Sequence, residues 1–108
     1  MSTITLTAMT PFDAAIAQKF SFTYTGVDST DVCHKNTLTV FNSSTNAAVY
    51  TNTETSDNLY QTLPAGTLAN GSSYYYTFSA FNSATATTAT VTSSNSAVFK
   101  CLTTPTWT

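Results

Sequence analysis

The sequence predicts an all-β protein, an antiparallel sandwich of seven strands in two sheets. Two observations carry that prediction. Apolar and polar residues alternate with a period of two along most of the chain, and no stretch repeats with the 3.6-residue period of a helix. Only 7% of the 108 residues are charged, while about a third are Ser or Thr. An amphipathic helix has little here from which to build a polar face. Thr, being β-branched, suits the wet face of a sheet.

The elements follow in order. Ile4, Leu6 and Ala8 alternate with Thr3, Thr5 and Thr7 to give a first strand, which Pro11 interrupts as proline does at an edge. Phe20, Phe22 and Tyr24 alternate with Ser21, Thr23 and Thr25 in a second strand ending near Gly26, and a polar loop covers 27–36. Leu38 and Val40 mark a third strand, Asn42-Ser43-Ser44-Thr45-Asn46 a hairpin turn, 47–53 a fourth strand and 59–63 a fifth. Pro64-Ala65-Gly66 and Asn70-Gly71 are breakers. The sixth strand has the clearest pattern: Tyr74, Tyr76, Phe78 and Ala80 share one face, and Tyr75, Thr77, Ser79 and Phe81 the other. Residues 83–96 are almost all Ala, Thr, Ser and Asn and read as a long loop or protruding hairpin without anchors. A last strand spans 97–103.

The length suits one domain, 1–103, with 104–108 as a linker or tail. Composition then narrows the function classes. The formal net charge is −2, and the cations Lys19, Lys35 and Lys100 are scattered. A nucleic-acid surface needs clustered cations, so no nucleic-acid partner is expected. No run reaches the roughly 20 apolar residues of a span, so no membrane insertion is expected. Residues 1–9 lack the basic and apolar regions of a secretory signal, which predicts folding in a cytoplasm.

The segment Leu68-Ala69-Asn70-Gly71-Ser72-Ser73-Tyr74, followed by Tyr76, Phe78, Ala80 and Asn82, resembles the fibronectin type III pattern. There a Leu precedes a turn, and a Tyr opens an alternating run that ends in Ala-x-Asn. Phe99-Lys100-Cys101-Leu102-Thr103-Thr104-Pro105 resembles that family's last strand running into a linker. The resemblance implies an immunoglobulin-like sandwich in which Tyr74 makes a tyrosine corner, its hydroxyl bonding to upstream backbone. It also places Cys33 and Cys101 at opposite poles, too far apart for a disulfide, so both thiols are expected free. One departure is the Trp that the family usually carries on its second strand: Phe22 and Tyr24 stand there, and Trp107 lies beyond the sandwich. Another immunoglobulin-like topology is the alternative. In style the chain is most similar to type III-like modules of bacteriophage tail and other virion proteins, which are rich in Thr, Ser and Asn and poor in charge.

No catalytic, cofactor or metal site is legible. Cys33-His34 lacks the further ligands of structural zinc and the third group of a nucleophilic triad. Asp28 and Asp31 share a loop without the regularity of a calcium motif and read as solvated acids. Tyr60, Tyr75 and Phe81 are the candidate partner contacts, with Tyr75 and Phe81 beside Phe41 on the far side of the sixth strand. The expected function is a non-catalytic structural or interaction module of a bacteriophage virion, assembled in the host cytoplasm. As tail, baseplate, fibre or capsid decoration it would contact other virion proteins or a host-surface glycan or protein, and it would self-associate if it decorates. The alternative is an extracellular glycan-binding or spacer module of a secreted bacterial enzyme or adhesin.

Overall fold

A computed structural model describes residues 2–102. The expected sandwich is present. One sheet holds three strands in the order β1 (Thr3–Leu6), β2 (Gln18–Thr25) and β5 (Tyr60–Leu63). The other holds five: β4 (Ala48–Glu54), β3 (Lys35–Asn42) and β6 (Ser73–Phe81) in order, then β7 (Val91–Thr92) and β8 (Phe99–Lys100), both on the outer side of β6. All strand pairs are antiparallel.

Eight strands stand where seven were expected, because the last expected strand is cut in two and begins earlier. Val91–Thr92 pairs with β6 inside the stretch expected to be a long loop or protruding hairpin. The cut has a local cause. Ser93 N–H bonds Phe78 O and Ser96 N–H bonds Tyr76 O, so three steps along the outer strand match two along β6. The extra residue is a bulge, and a second accumulates before Phe99 reaches Tyr74. In the gap, side chains replace carbonyls: Phe78 N–H donates to Ser93 Oγ at 3.0 Å and Tyr76 N–H to Ser96 Oγ at 2.9 Å. Serine is thus required by the ladder at both places. The loop before β7 is anchored as well, since Lys35 Nζ donates to Ala86 O at 2.9 Å.

Between the sheets lies an aromatic core. Phe20 of β2 meets Tyr76 of β6 edge-to-face, with centroids 5.0 Å apart and planes at 84°. Phe22 sits 4.4 Å from Phe78 and occupies the middle of the core where the family resemblance would put a Trp. Phe99 closes the cluster against Phe12 and Phe20. Such pairs add about 0.5–1.5 kcal/mol each beyond area burial. Tyr76 also crosses the sandwich with its hydroxyl, which donates to Thr7 O. Burial pushes its phenol up to about 12, so it remains a donor at every physiological pH.

One polar cluster is buried beside the aromatics. Gln61 of β5 and Asn36 of β3 are almost wholly buried, and Asn52 of β4 lies at their edge. Gln61 Nε2 donates to Asn36 Oδ1 at 2.7 Å and Asn52 O at 2.9 Å, and Gln61 Oε1 accepts from Asn52 Nδ2 at 3.0 Å. Asn36 Nδ2 donates to Asn58 O. This closed amide network fastens the crossover between the sheets. Replacing Gln61 by Ala removes the donor to Asn36 Oδ1 and Asn52 O and the acceptor for Asn52 Nδ2, and each buried group left unmatched costs about 1–3 kcal/mol. Thermal melts of Gln61→Ala are expected to fall by at least 4 °C, since about 1 kcal/mol moves a domain of this size by roughly 4–8 °C. Tyr76→Phe is expected to cost about 1 kcal/mol in a denaturant melt by removing the Thr7 bond.

Candidate functional site

The outer face of the five-stranded sheet gathers two of the three candidate contact residues. Because side chains alternate, Thr37, Thr39 and Phe41 of β3 share this face with Tyr75, Thr77 and Ser79 of β6 and with Thr51 and Thr53 of β4. The register puts Thr53, Thr37, Ser79 and Thr92 in one row across four strands, and Thr51, Thr39 and Thr77 in the next. Hydroxyls pair within the rows: Thr37 with Thr53 at 2.7 Å, Ser79 with Thr92 at 2.9 Å, and Thr51 Oγ1 donating to Thr39 Oγ1 at 3.0 Å. The face is ordered and uncharged between its ends.

Each end carries an aromatic. Tyr75 stacks on Phe41 with centroids 5.0 Å apart and planes 16° from parallel, and its hydroxyl donates to Asn46 Oδ1. Asn46 takes a positive φ of 58° at the hairpin, a backbone that Asn tolerates. Phe81 lies at the other end, six residues or about 20 Å along β6. It is buried, with Lys35 Nζ 4.7 Å above its ring, and offers a partner the lysine before the ring. Tyr60 belongs to the other sheet and is partly exposed, with Lys19 Nζ 4.1 Å from its ring centre. The structure therefore joins Tyr75 and Phe81 on one face and separates Tyr60 from both. Tyr74 points inward, and its hydroxyl accepts Ala69 N–H at 2.9 Å, a bond to backbone five residues upstream.

At the pole where β2 ends, one of the two loop acids differs from expectation. Asp28 is exposed and its carboxylate caps its own turn, accepting Thr30 N–H and Oγ1–H. Asp31 is not a solvated acid but a buried one. It accepts from Ser2 Oγ, from Tyr24 Oη at 2.6 Å, from Val27 N–H at 2.9 Å and from Asn82 Nδ2 at 3.2 Å. The Ser2, Tyr24 and Val27 donors, in that order, hold its carboxyl far below the usual range. Gly26 makes the turn around it possible, since a Cβ there would sit 1.9 Å from Asp31 O. No spacing motif announces this knot, but a Gly five residues before a loop Asp is its one trace in the sequence.

Beside the knot, Tyr24, Val32, Cys33, Asp57 and Leu59 line a pocket of about 330 Å³. His34 Nδ1 is 2.7 Å from Asp57 Oδ1 at its rim. Cys33 is buried and bonds Lys35 O rather than His34, and burial pushes its thiol up, away from the nucleophilic thiolate. Among the described residues no group of three or more His, Cys, Asp or Glu is placed to hold a metal ion. Cys33 and Cys101 are both free and buried. Cys101 adjoins Ser72 at the start of β6 and Cys33 lies near Phe81 at its end, which keeps them far apart. A second concavity, about 410 Å³, runs between residues 4–8 and 93–97.

Asp31 gives the site a pH signature. Its folded pKa is depressed, so its stabilisation is present above the unfolded value of 3.8 and is lost as pH falls below it. Asp31→Asn is expected to lower the melting temperature at pH 7, and the gap to the native chain should be smaller in melts run at pH 3 and keep narrowing below it, as pH falls toward the depressed folded value. A gap of equal size at both pH values would mean that the carboxylate charge contributes nothing.

Comparison of the chain with protein-family models, with curated proteins and with solved structures finds no match.

Proposed function

We propose that the chain is a non-catalytic structural and interaction module of a bacteriophage virion, built on a fibronectin type III sandwich. The strand arrangement carries this reading. The order β1-β2-β5 against β4-β3-β6 with a divided outer strand is the order that family uses. The Tyr74 hydroxyl bond to Ala69 N–H has the form of its tyrosine corner. The surface supports the second half of the reading. Rows of paired threonines make a rigid face without charge, suited to spacing, docking or display in the crowded, symmetric setting of a particle.

The second reading, a glycan-binding module of a secreted protein, has its own support in the Tyr75–Phe41 stack beside the threonine rows. An aromatic plane next to ordered hydroxyls and the Asn46 amide suits a neutral sugar.

Two measurements separate the readings. Virion membership predicts that the chain co-sediments with purified particles at a fixed stoichiometry, while its absence from particles overturns the proposal. Glycan binding predicts saturable titration with neutral oligosaccharides, lost at least tenfold in Tyr75→Ala with the fold intact by circular dichroism. In either case binding should change little between low and high salt, because the contact face holds few charges.

A further inference from the structure

The groove between residues 4–8 and 93–97 is bounded on one side by the edge strand β1 and on the other by the irregular run between β7 and β8. In β1, Thr7 N–H bonds Ser21 O, and the register continues through Thr5 with Thr23 and Thr3 with Thr25. Hydrogen-bonded positions alternate in an antiparallel pair, so the N–H and C=O groups of Ile4 and Leu6 turn away from β2 toward the groove. On the opposite wall, Ser94 and Asn95 belong to the bulged run between the two bonds that Ser93 and Ser96 make to β6. The β1 wall alternates Ile4, Leu6 and Ala8 with Thr5 and Thr7, the other wall is mostly hydroxyl and amide, and neither holds a charged side chain. Neither wall has the lysines, prolines or inward charges with which proteins keep sheet edges single. Such a groove accepts an extended, uncharged segment with small side chains, adding it as a strand. Five residues on each wall give it a length of about 17 Å.

The chain owns a segment of that chemistry outside both sheets. Ala84-Thr85-Ala86-Thr87-Thr88-Ala89-Thr90 has no charge and nothing larger than Thr, and its β-branched residues favour an extended backbone. Yet it lies in bends and turns, and only its last residue is tied to β6, where Thr90 N–H bonds Ala80 O at 2.8 Å before the strand pairing at Val91. Lys35 Nζ ties it down at Ala86 O. Extended, seven residues reach about 23 Å, enough to fill the groove.

We propose that the groove of one copy receives the 84–90 arm of a second copy, so that the protein self-associates by strand addition. Arm and groove are different surfaces, each present once per chain. Two copies that exchange arms reciprocally close as a two-fold dimer, and one-way exchange generates rings or open chains. The inference does not depend on where the protein works.

The test is light scattering behind size-exclusion chromatography, from micromolar to millimolar chain, with a labelled peptide of residues 83–92 as a direct probe. The native chain is expected to gain mass with concentration, to a dimer or beyond, and to bind the peptide. Ala97→Glu, a substitution at an exposed rim position, is expected to stay monomeric and to lose the peptide at least tenfold, with an unchanged melting temperature. Ala8→Glu, on the other wall, repeats the test if Ala97→Glu melts early. Lys35→Ala releases the middle of the arm and is expected to shift association to concentrations on the order of tenfold lower, whereas a purely structural lysine would weaken it. A native chain that is monomeric throughout and ignores the peptide overturns the proposal. So does an oligomer that both glutamate variants leave intact.

Discussion

The packing of Phe20 against Tyr76 is the contact on which the rest of the molecule depends. It joins the middle strand of the small sheet to the middle of the large one, and both rings are fully buried. Phe78, Phe99 and Phe12 take their positions around it. The Tyr76 hydroxyl then reaches Thr7 and fixes the chain just beyond β1. Because Tyr76 is on β6, that strand must sit centrally, with β3 on one side and the divided outer strand on the other. The outer rows of threonine follow from the same register, since the residues between core positions have nowhere to point but outward.

With so few charges, hydroxyls and amides take over work that ion pairs and carbonyls do elsewhere. Ser93 and Ser96 complete a backbone ladder, Asn36, Asn52 and Gln61 bridge the sheets, and a single carboxylate at Asp31 gathers four donors from distant parts of the chain. Among the described residues no buried side-chain nitrogen or oxygen lacks a partner. A composition that looks merely polar is in fact assigned almost group by group, which makes small polar-to-polar substitutions more costly than their chemistry suggests.

The strands with strict alternation were legible. Phe20–Tyr24 and Tyr74–Ala80 declare their inner faces, and Leu59, Gln61 and Leu63 alternate in the same way, so the inward position of Gln61 could be read although its partners could not. The split into β7 and β8 was hidden because a bulge is a relation between two strands, and Ser93 and Ser96 look like any loop serines until β6 is placed beside them. The burial of Asp31 was hidden for a similar reason: its donors come from positions 2, 24, 27 and 82. Phe81 follows the alternation onto the outer face, yet the lysine of the neighbouring strand covers it, which period-two reading does not foresee.

The Asp31 knot also fixes where the chain enters the sandwich. Ser2 is held at the pole of Asn82, while Leu102 N–H bonds Phe12 O at the opposite pole, close to the turn at Gly71. Force applied through the two ends would run along the long axis of the sheets. The β1–β2 bonds would then be loaded together, in shear, instead of opening one after another like a zipper. Resistance along that axis is then set by the β1–β2 ladder as a unit instead of by its weakest single bond.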